Sequence, residues 1–354
     1  PPEWRAAKWA TLCREGGFFM GKMNEKKRIV QAGLLLLLLL AALGLSGCGT
    51  AAAEPGQSAA PGAQGQKPPL PEKLELNAQG VPLLRVYQVD EEAVQEMNVE
   101  DYLLGVLAGE MKNDWPLEAL KAQAILARTF VLKFCTEKQS RYAGADISTD
   151  IEEAQAYDAT GVNERIERAV QETRGLALAS GGEFPYAWFH AHSGGMTAEA
   201  KEGLAYEKDE PAYTRVTEGR EGESAPQEAK SWQAEFTRTE FLQAAKKAGL
   251  TGADGVESVA VGERGKSGRA VTLNVNGQAV SAPELRIALG SSKMRSTLLT
   301  SLRLEGDRVV MAGKGYGHGV GMPQWGAFAL AEEGKAAQEI VTYYFQNVTV
   351  EKLW

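Results

Sequence analysis

The sequence predicts an α+β fold, because two hydrophobic periodicities follow one another without the regular alternation of a parallel-sheet protein. In some segments apolar residues alternate with polar ones, and in others they recur every three or four positions. The chain has 354 residues, 44% of them hydrophobic, which is enough to bury a substantial core. We therefore expect mixed helices and short strands packed around such a core.

The first half of the predicted domain opens with a strand and continues with helices. Leu84 and Val86 belong to an alternating segment, which indicates the strand. A short helix is predicted over 98–107. A longer one follows, with Asp114 as its cap and Pro116 in its first turn, where a missing N–H costs little. Its apolar residues fall on one face: Leu117, Leu120, Ala124, Ala127, Val131 and Phe134.

The second half of the predicted domain mixes short elements with one long polar segment. Residues 202–231 are charged and rich in Gly and Pro, which is typical of a long excursion or lid. Asn276 and Gly277 form a strong hairpin signal, and Ser281 with Glu284 resembles a capping box. The same periodicities predict helices over 164–173, 235–248, 281–290, 323–333 and 336–345, and strands over 177–179 and 186–191.

The N-terminal segment has the features of an export signal. Residues 1–19 lack Met and are interpreted as an over-extended gene start. In residues 20–48 a basic patch precedes an apolar run that is short for a membrane span, which indicates a signal peptide. The run ends in Leu-Ser-Gly-Cys, which resembles a bacterial lipobox, so we predict lipidation of Cys48. An uncleaved N-terminal membrane anchor is the alternative. Both place the following chain outside the cytoplasm, anchored to the cell membrane.

A linker is predicted between this segment and the domain. Residues 49–72 are rich in Ala, Gly, Gln and Pro and lack aromatic residues, so they bury too little surface to offset the entropy of ordering. We therefore predict a disordered linker over 49–79 and a catalytic domain over 80–354.

Charge and cysteine content exclude two classes of protein. The formal net charge of the chain is −8. Residues 1–47 carry seven Lys or Arg against three Glu, so residues 48–354 have a more negative net charge than the whole chain. An acidic domain argues against binding through a basic face to nucleic acid or to anionic wall polymers. Of three cysteines, only Cys135 lies beyond the N-terminal segment, so no disulfide framework supports the domain.

Glu110 is the candidate catalytic acid. It follows an apolar run at the end of a predicted helix, where desolvation and the negative end of the helix dipole both favour the neutral carboxyl. A carboxyl with a raised pKa can donate a proton near neutral pH. The alternative is a solvated glutamate at a helix end, paired with Lys112.

Two histidines raise the question of a metal site. His190 and His192 lie two residues apart on a predicted strand, so both side chains point to one face. Cys135 and His318 are the remaining candidate ligands, but neither has supporting spacing. Histidines hydrogen-bonded within a cleft are the alternative that we favour.

A glycine-rich loop offers a binding surface. Glycines alternate over 313–321, and their missing Cβ atoms would let the backbone approach a bulky ligand. His318, Gln324 and Trp325 add hydrogen-bonding groups and a surface on which a sugar can stack. The order of these glycines does not match the dinucleotide-binding pattern, which we reject.

Three motifs together resemble the stage II sporulation protein D family, which includes the amidase enhancers. They are Glu-Met followed by Trp-Pro-Leu-Glu-Ala-Leu-Lys-Ala-Gln-Ala and Ala-Arg-Thr over 110–129, Phe-His-Ala-His-Ser-Gly-Gly over 189–195, and Gly-His-Gly-Val-Gly-Met-Pro-Gln-Trp-Gly-Ala over 317–327. The resemblance covers about residues 80–354. It implies a lytic transglycosylase that cleaves peptidoglycan between N-acetylmuramic acid and N-acetylglucosamine and leaves 1,6-anhydro products.

The resemblance also implies the site residues. The family's catalytic glutamate corresponds to Glu110, and this chemistry needs no second carboxylate, unlike ordinary glycoside hydrolysis. Polar, aromatic and glycine residues of the three motifs are then expected to bind the substrate: Arg128, His190, Ser193, Gly195, Tyr316, His318, Gln324 and Trp325.

Cofactor and partners follow from the same resemblance. Some relatives carry zinc, with a Cys just before Gln-x-Tyr, but Ala154 stands at that position here, so no cofactor is expected. The expected partners are glycan strands, an amidase that removes stem peptides, and a membrane protein of the engulfment machinery of sporulating cells. A non-catalytic enhancer of an amidase is the alternative function.

Overall fold

The computed structural model describes residues 66–354, and within them it confirms the predicted α+β fold. The helices, in chain order from α1 to α9, are Val99–Glu110, Leu117–Glu137, Glu164–Glu172, Ala200–Leu204, Gln227–Lys230, Arg238–Lys247, Ala282–Leu289, Gln324–Glu332 and Ala337–Tyr344. The strands, from β1 to β13, are Leu83–Gln88, Ala93–Asn98, Ile147–Ser148, Leu176–Ala179, Phe189–His190, Ser231–Thr237, Val259–Val261, Thr272–Val275, Gln278–Ser281, Leu299–Glu305, Arg308–Lys314, Met322–Pro323 and Thr349–Lys352.

The strands form small separate sheets. Three of these sheets have three strands each, in the orders β2-β1-β3, β10-β11-β6 and β7-β8-β9. The pairs β12-β5 and β13-β4 complete the set within the described residues. The β5–β12 pairing is parallel and joins two of the three sequence motifs, because Met322 lies opposite Phe189 and Pro323 opposite His190.

A first core surrounds α2, whose side chains are buried along most of its 21 residues. Helices α1, α3, α8 and α9 pack against it. The Asn98 side chain caps α1 by accepting hydrogen bonds from the backbone of Glu100 and Asp101, and α1 ends at Glu110. The helix predicted from Pro116 is confirmed, although it begins at Leu117 without a side-chain cap.

A second core lies within an insertion between β5 and β12, which comprises residues 231–314 from the start of β6 to the end of β11. Apolar residues of β6, β8, β11, α6 and α7 form a cluster separate from the first. The predicted hairpin is confirmed, with Asn276 at a positive φ of 52°, and Ser281 caps α7 by accepting from the Glu284 N–H. The helix predicted over 235–248 begins only at Arg238, because residues 231–237 pair with β11 instead.

Buried charges join the insertion to the first core. The Arg269 guanidinium, which has no exposed surface, donates to the Ser193 carbonyl and, at 2.8 Å, to the Met196 carbonyl. Its neighbour Ser267 donates through its hydroxyl and its N–H to the buried carboxylate of Glu202. Burial lowers the pKa of Arg269 to about 10, so it remains charged at neutral pH. The insertion is therefore fixed to the loop that follows β5.

The N-terminal boundary of the packed chain differs from the predicted one. The linker was predicted to extend to residue 79, but Leu74 is buried in the first core. Lys67 Nζ donates to the Leu353 carbonyl at 2.6 Å, and Lys73 Nζ to the Lys138 carbonyl at 2.8 Å. The predicted signal peptide with Cys48 lies outside the described residues. Among residues 66–354, no helix has the length and apolar composition that a membrane crossing requires.

A buried ion pair between Glu100 and Arg128 joins α1 to α2. Arg128 Nη2 lies 2.6 Å and its Nε 3.1 Å from the two Glu100 carboxylate oxygens. Glu100 also accepts hydrogen bonds from the N–H of Gly175 and the indole of Trp354, and Arg128 donates to the Leu176 carbonyl. Both charges are thus paired and hydrogen-bonded, as buried charges require.

We predict that Arg128→Met lowers the free energy of unfolding by about 3–5 kcal/mol, because it leaves the Glu100 carboxylate buried without its cation. Urea unfolding measures the change. The matched control is Arg168→Met, since Arg168 pairs with Glu172 on the exposed surface of α3, where solvent screening leaves an ion pair little effect on stability. Equal effects of the two substitutions would contradict the structural role of Arg128.

Candidate active site

A cavity of about 810 Å³ lies between the first core and the insertion. The end of α1, the strand β5, the loop before β12 and the start of α8 supply one side, and the insertion supplies the other. The three sequence motifs therefore meet at one place. Its volume is in the range of cavities that hold small molecules or short oligomers.

Glu110, the last residue of α1, lines this cavity. The backbone N–H of Ala156 donates to its carboxylate Oε1 at 2.6 Å, which fixes the orientation of the carboxyl group. The Gln324 side-chain amide donates to the Glu110 carbonyl at 3.2 Å and connects α8 to the end of α1. The candidate acid is thus held from two separate segments.

Glycine in α1 makes the contact to Ala156 possible. A Cβ on Gly109 would lie 2.7 Å from backbone atoms of Ala156 and Tyr157, and a Cβ on Gly105 would collide with the Tyr157 ring. Only glycine at these positions lets residues 156–157 approach the helix closely enough to reach Glu110. The Gly-x-x-x-Gly-Glu spacing is therefore a packing requirement of the site.

Aromatic side chains form one wall of the cavity. The rings of Trp115 and Trp325 lie 4.6 Å apart between centroids, and Phe328 packs at 5.1 Å from Trp115. The ammonium group of Lys112 lies 5.7 Å above the Trp325 ring, within cation–π range. Indole faces are the kind of surface on which the apolar faces of sugars stack.

His190 and His318 lie side by side with their ring centroids 5.5 Å apart. His190 Nδ1 lies 3.2 Å from the Val320 carbonyl, so it carries the proton. His318 Nδ1 accepts from the Val320 N–H at 3.0 Å, and the Phe189 carbonyl also hydrogen-bonds the His318 ring. Burial, reinforced by nearby cations, lowers the pKa of His318 to about 3 and that of His190 well below its usual range. Both rings are neutral.

The donor set does not fit a metal ion. In the part of the chain that the structure describes, no three His, Cys, Asp or Glu side chains converge on a common point. His318 has both ring nitrogens engaged by backbone groups, and burial raises the pKa of the Cys135 thiol to about 12, which disfavours the thiolate that zinc would need. Among the described residues, these candidate ligands therefore do not form a zinc site.

The glycines of residues 313–321 serve protein packing rather than ligand approach. Gly317 has a positive φ of 117°, and a Cβ there would lie 2.6 Å from the His190 Cβ. Added Cβ atoms at Gly315, Gly319 and Gly321 would likewise meet protein atoms. The prediction that these missing Cβ atoms make room for a ligand is therefore wrong, because protein atoms fill that space.

The comparisons with known proteins agree with this geometry. A family model described as stage II sporulation protein matches residues 87–179, which include Glu110, and a model for a domain of unknown function matches residues 198–321, which include the insertion. The chain is 31% identical over 286 residues to stage II sporulation protein D of Bacillus amyloliquefaciens, covering 75% of this chain and 78% of that one. The chain belongs to the stage II sporulation protein D family.

Two further members of this wider group are similar. Stage II sporulation protein D of Bacillus subtilis strain 168 is 28% identical, over 75% of this chain and 78% of that protein. The amidase enhancer of the same strain is 28% identical over 70% of this chain, but the match covers 40% of that longer protein.

The structure brings together most, but not all, of the predicted site residues. Six of them line the cavity, namely Glu110, His190, Tyr316, His318, Gln324 and Trp325. Arg128 does not, because its guanidinium is fully buried against Glu100 and cannot reach a ligand. Ser193 is also fully buried and Gly195 lies on the surface away from the cavity lining, where its N–H donates to the Ser193 hydroxyl.

Other lining residues were not selected from the sequence. Trp115 and Lys112 stand within the first motif, where the aromatic ring next to Pro116 was a usable signal. Arg286 and Arg295 come from the insertion and follow no motif, so nothing in the local sequence indicated that they face Glu110 across a cavity.

We predict that His318 makes folding stability pH-dependent. The pKa of His318 is about 3 in the folded protein, whereas the pKa of an unfolded histidine is about 6.5. Between these two pH values the unfolded state binds more protons than the folded state. The free energy of unfolding therefore falls as the pH falls. His318→Asn retains an acceptor for the Val320 N–H but does not titrate. From pH 7 to pH 5 the wild type should therefore lose about 2 kcal/mol more than this variant in urea unfolding. An equal loss would show that folded His318 titrates normally.

Proposed function

We propose that this protein is a peptidoglycan lytic transglycosylase with Glu110 as its acid catalyst. The observation that carries the proposal is the Glu110 carboxyl, oriented by the Ala156 N–H at the wall of a cavity that also presents an indole platform. The relatives named for sporulation support a role in cell-wall remodelling during spore formation. An amidase that removes stem peptides and a membrane protein of the engulfment machinery are the proposed partners.

The proposed reaction uses one carboxyl group twice. Glu110 donates its proton to the glycosidic oxygen as the bond from that oxygen to C1 of N-acetylmuramic acid breaks. The C6 hydroxyl of the same sugar attacks C1, and its proton passes to the Glu110 carboxylate. The strand ends in a 1,6-anhydro sugar, no water is consumed, and the acid is regenerated.

The surrounding residues position the strand. Trp325, backed by Trp115, offers a face for a sugar ring, and the Gln324 amide holds the end of α1 where Glu110 stands. His190, His318 and Tyr316 line the same cavity. We assign His190 and Tyr316 to substrate positioning, since an acid that transfers a proton needs its substrate held within hydrogen-bond reach. His318, whose ring is already hydrogen-bonded by the backbone, holds the loop that carries Tyr316 in place.

We further propose that the enzyme acts outside the cytoplasm, attached to the membrane by its N-terminal segment. The support is the apolar run over 34–45 and the lipobox-like sequence ending at Cys48. The mass of the N-terminal peptide of the exported chain tests this, because an acylated Cys48 and a retained apolar segment have different masses.

We predict that Glu110→Gln reduces the rate of glycan cleavage by about 10²- to 10⁴-fold while leaving folding and glycan binding intact, because the amide keeps the shape but cannot transfer the proton. Chromatography of purified glycan strands after incubation gives the rate. The matched control is Glu332→Gln, an exposed glutamate at the far end of α8, which should cleave at the wild-type rate.

Cleavage of glycan strands by the Glu110→Gln variant at the wild-type rate would contradict the catalytic assignment.

The amidase enhancer among the relatives favours one other function, in which the cavity binds glycan only to stimulate an amidase. In that case wild-type protein would leave glycan strands intact, and it would accelerate a peptidoglycan amidase equally well with Gln at position 110.

A further inference from the structure

Two arginines from the insertion line the cavity beside each other. Arg286 lies on α7, and only 2% of its surface is exposed. Its Nε donates to the backbone carbonyl of Arg295 at 3.0 Å, and the same carbonyl accepts the Gly317 N–H at 2.9 Å. This carbonyl therefore connects both arginines to the loop that carries His318.

The Arg295 guanidinium is held in place by neutral groups. It donates to the carbonyl of Ser292 at 3.3 Å and to the carbonyl of Glu228, and it lies over the Tyr316 ring at 5.1 Å from the centroid. None of these partners carries a negative charge. Among the described residues, no carboxylate lies within ion-pair distance of Arg295, which is only partly buried.

The carboxylates that line the cavity form no ion pair with Arg295. Glu110 is bound by the Ala156 N–H, and Asp158 caps the short helix over 159–161 by accepting from Thr160 and Gly161. Glu228 contributes its backbone carbonyl to Arg295, with its side chain exposed. Asp114 is exposed near the aromatic wall. The cavity thus keeps a fixed, uncompensated cation on the side that the insertion forms.

We propose that Arg295 binds a carboxylate carried by the glycan strand. A guanidinium fork matches the two oxygens of a carboxylate, and stacking on Tyr316 fixes its plane before the ligand arrives. Of the two sugars in peptidoglycan, only N-acetylmuramic acid carries a lactyl ether, whose carboxyl is free once an amidase has removed the stem peptide. Arg295 would therefore distinguish an acidic glycan from a neutral one, such as a chitin oligosaccharide.

This inference rests on the proposed function, since it places the same glycan in the same cavity. It goes further by giving the insertion a role in substrate choice. The acid on α1 would act on the glycosidic bond, and the insertion would determine which sugar lies next to it.

The test measures binding in the Glu110→Gln background, so that the ligand is not consumed. The ligands are a tetrasaccharide of alternating N-acetylglucosamine and N-acetylmuramic acid with free lactyl carboxyls, and the same compound as its methyl ester. Arg295→Gln should weaken binding of the acid at least about 10-fold, since a charged hydrogen-bonded pair is lost, and change binding of the ester less than twofold. Titration calorimetry gives both affinities.

Two control variants make the result specific. Lys293→Gln removes a cation of the same loop that does not line the cavity, and it should leave both affinities unchanged. Arg295→Lys keeps the charge without the fork, and it should recover part of the preference for the acid. Thermal unfolding establishes that each variant is folded.

The outcomes separate this inference from the proposed function. Equal loss for acid and ester, or no loss for either, would overturn the role of Arg295 and leave Glu110 as the catalyst untouched. If Arg295→Gln weakened binding of the acid alone, the role of Arg295 would be supported. If the Glu110→Gln parent also still cleaved glycan strands, the catalytic assignment of Glu110 would be overturned at the same time. Absence of binding to either ligand by the Glu110→Gln parent would overturn both.

Discussion

The buried pair of Glu100 and Arg128 is the interaction on which the geometry of the site depends. Glu100 stands in the first turn of α1 and accepts hydrogen bonds from α2, from Gly175 before β4, and from the C-terminal residue Trp354. Three distant parts of the chain thus converge on one carboxylate. Because α1 is a continuous helix, fixing its first turn also fixes the direction in which its last residue, Glu110, is presented.

The second constraint is the attachment of the insertion. The cavity exists because the second core is fixed against the first, and Arg269 and Glu202 hold the two together through buried hydrogen bonds. Arg269 reaches the backbone on both sides of Gly194 and Gly195, the motif that follows β5. A motif that looked like a ligand-binding segment in the sequence therefore serves to join the two cores.

Local features were predictable because they are encoded by neighbouring residues. The hairpin at Asn276 needs only a residue that tolerates positive φ, and the cap at Ser281 needs only a hydroxyl three positions before a backbone N–H. Glu110 was singled out by its place at the end of an apolar run and by the family resemblance, and the structure places it at the cavity wall. Strands β10 and β11 were missed because their pairing with β6 is set by the second core rather than by a local signal.

The remaining site residues depend on contacts between distant segments. Arg128 belongs to the same motif as Glu110, yet nothing in the sequence indicates that its side chain is buried against Glu100. Arg286 and Arg295 belong to no motif, and only the docking of the insertion brings them to the cavity. The glycines over 313–321 were interpreted as space for a ligand, but their space is filled by His190, Arg269 and Trp188.

The most direct measurement is product analysis of purified glycan strands cleaved in oxygen-18-enriched water. Attack by the C6 hydroxyl of the same sugar predicts 1,6-anhydro ends without incorporated label, because no water oxygen enters the product. Mass spectrometry distinguishes these ends from the reducing ends that attack by water would leave. Reducing ends that carry one labelled oxygen would contradict transglycosylation in favour of hydrolysis, and intact strands would contradict catalysis by Glu110 altogether.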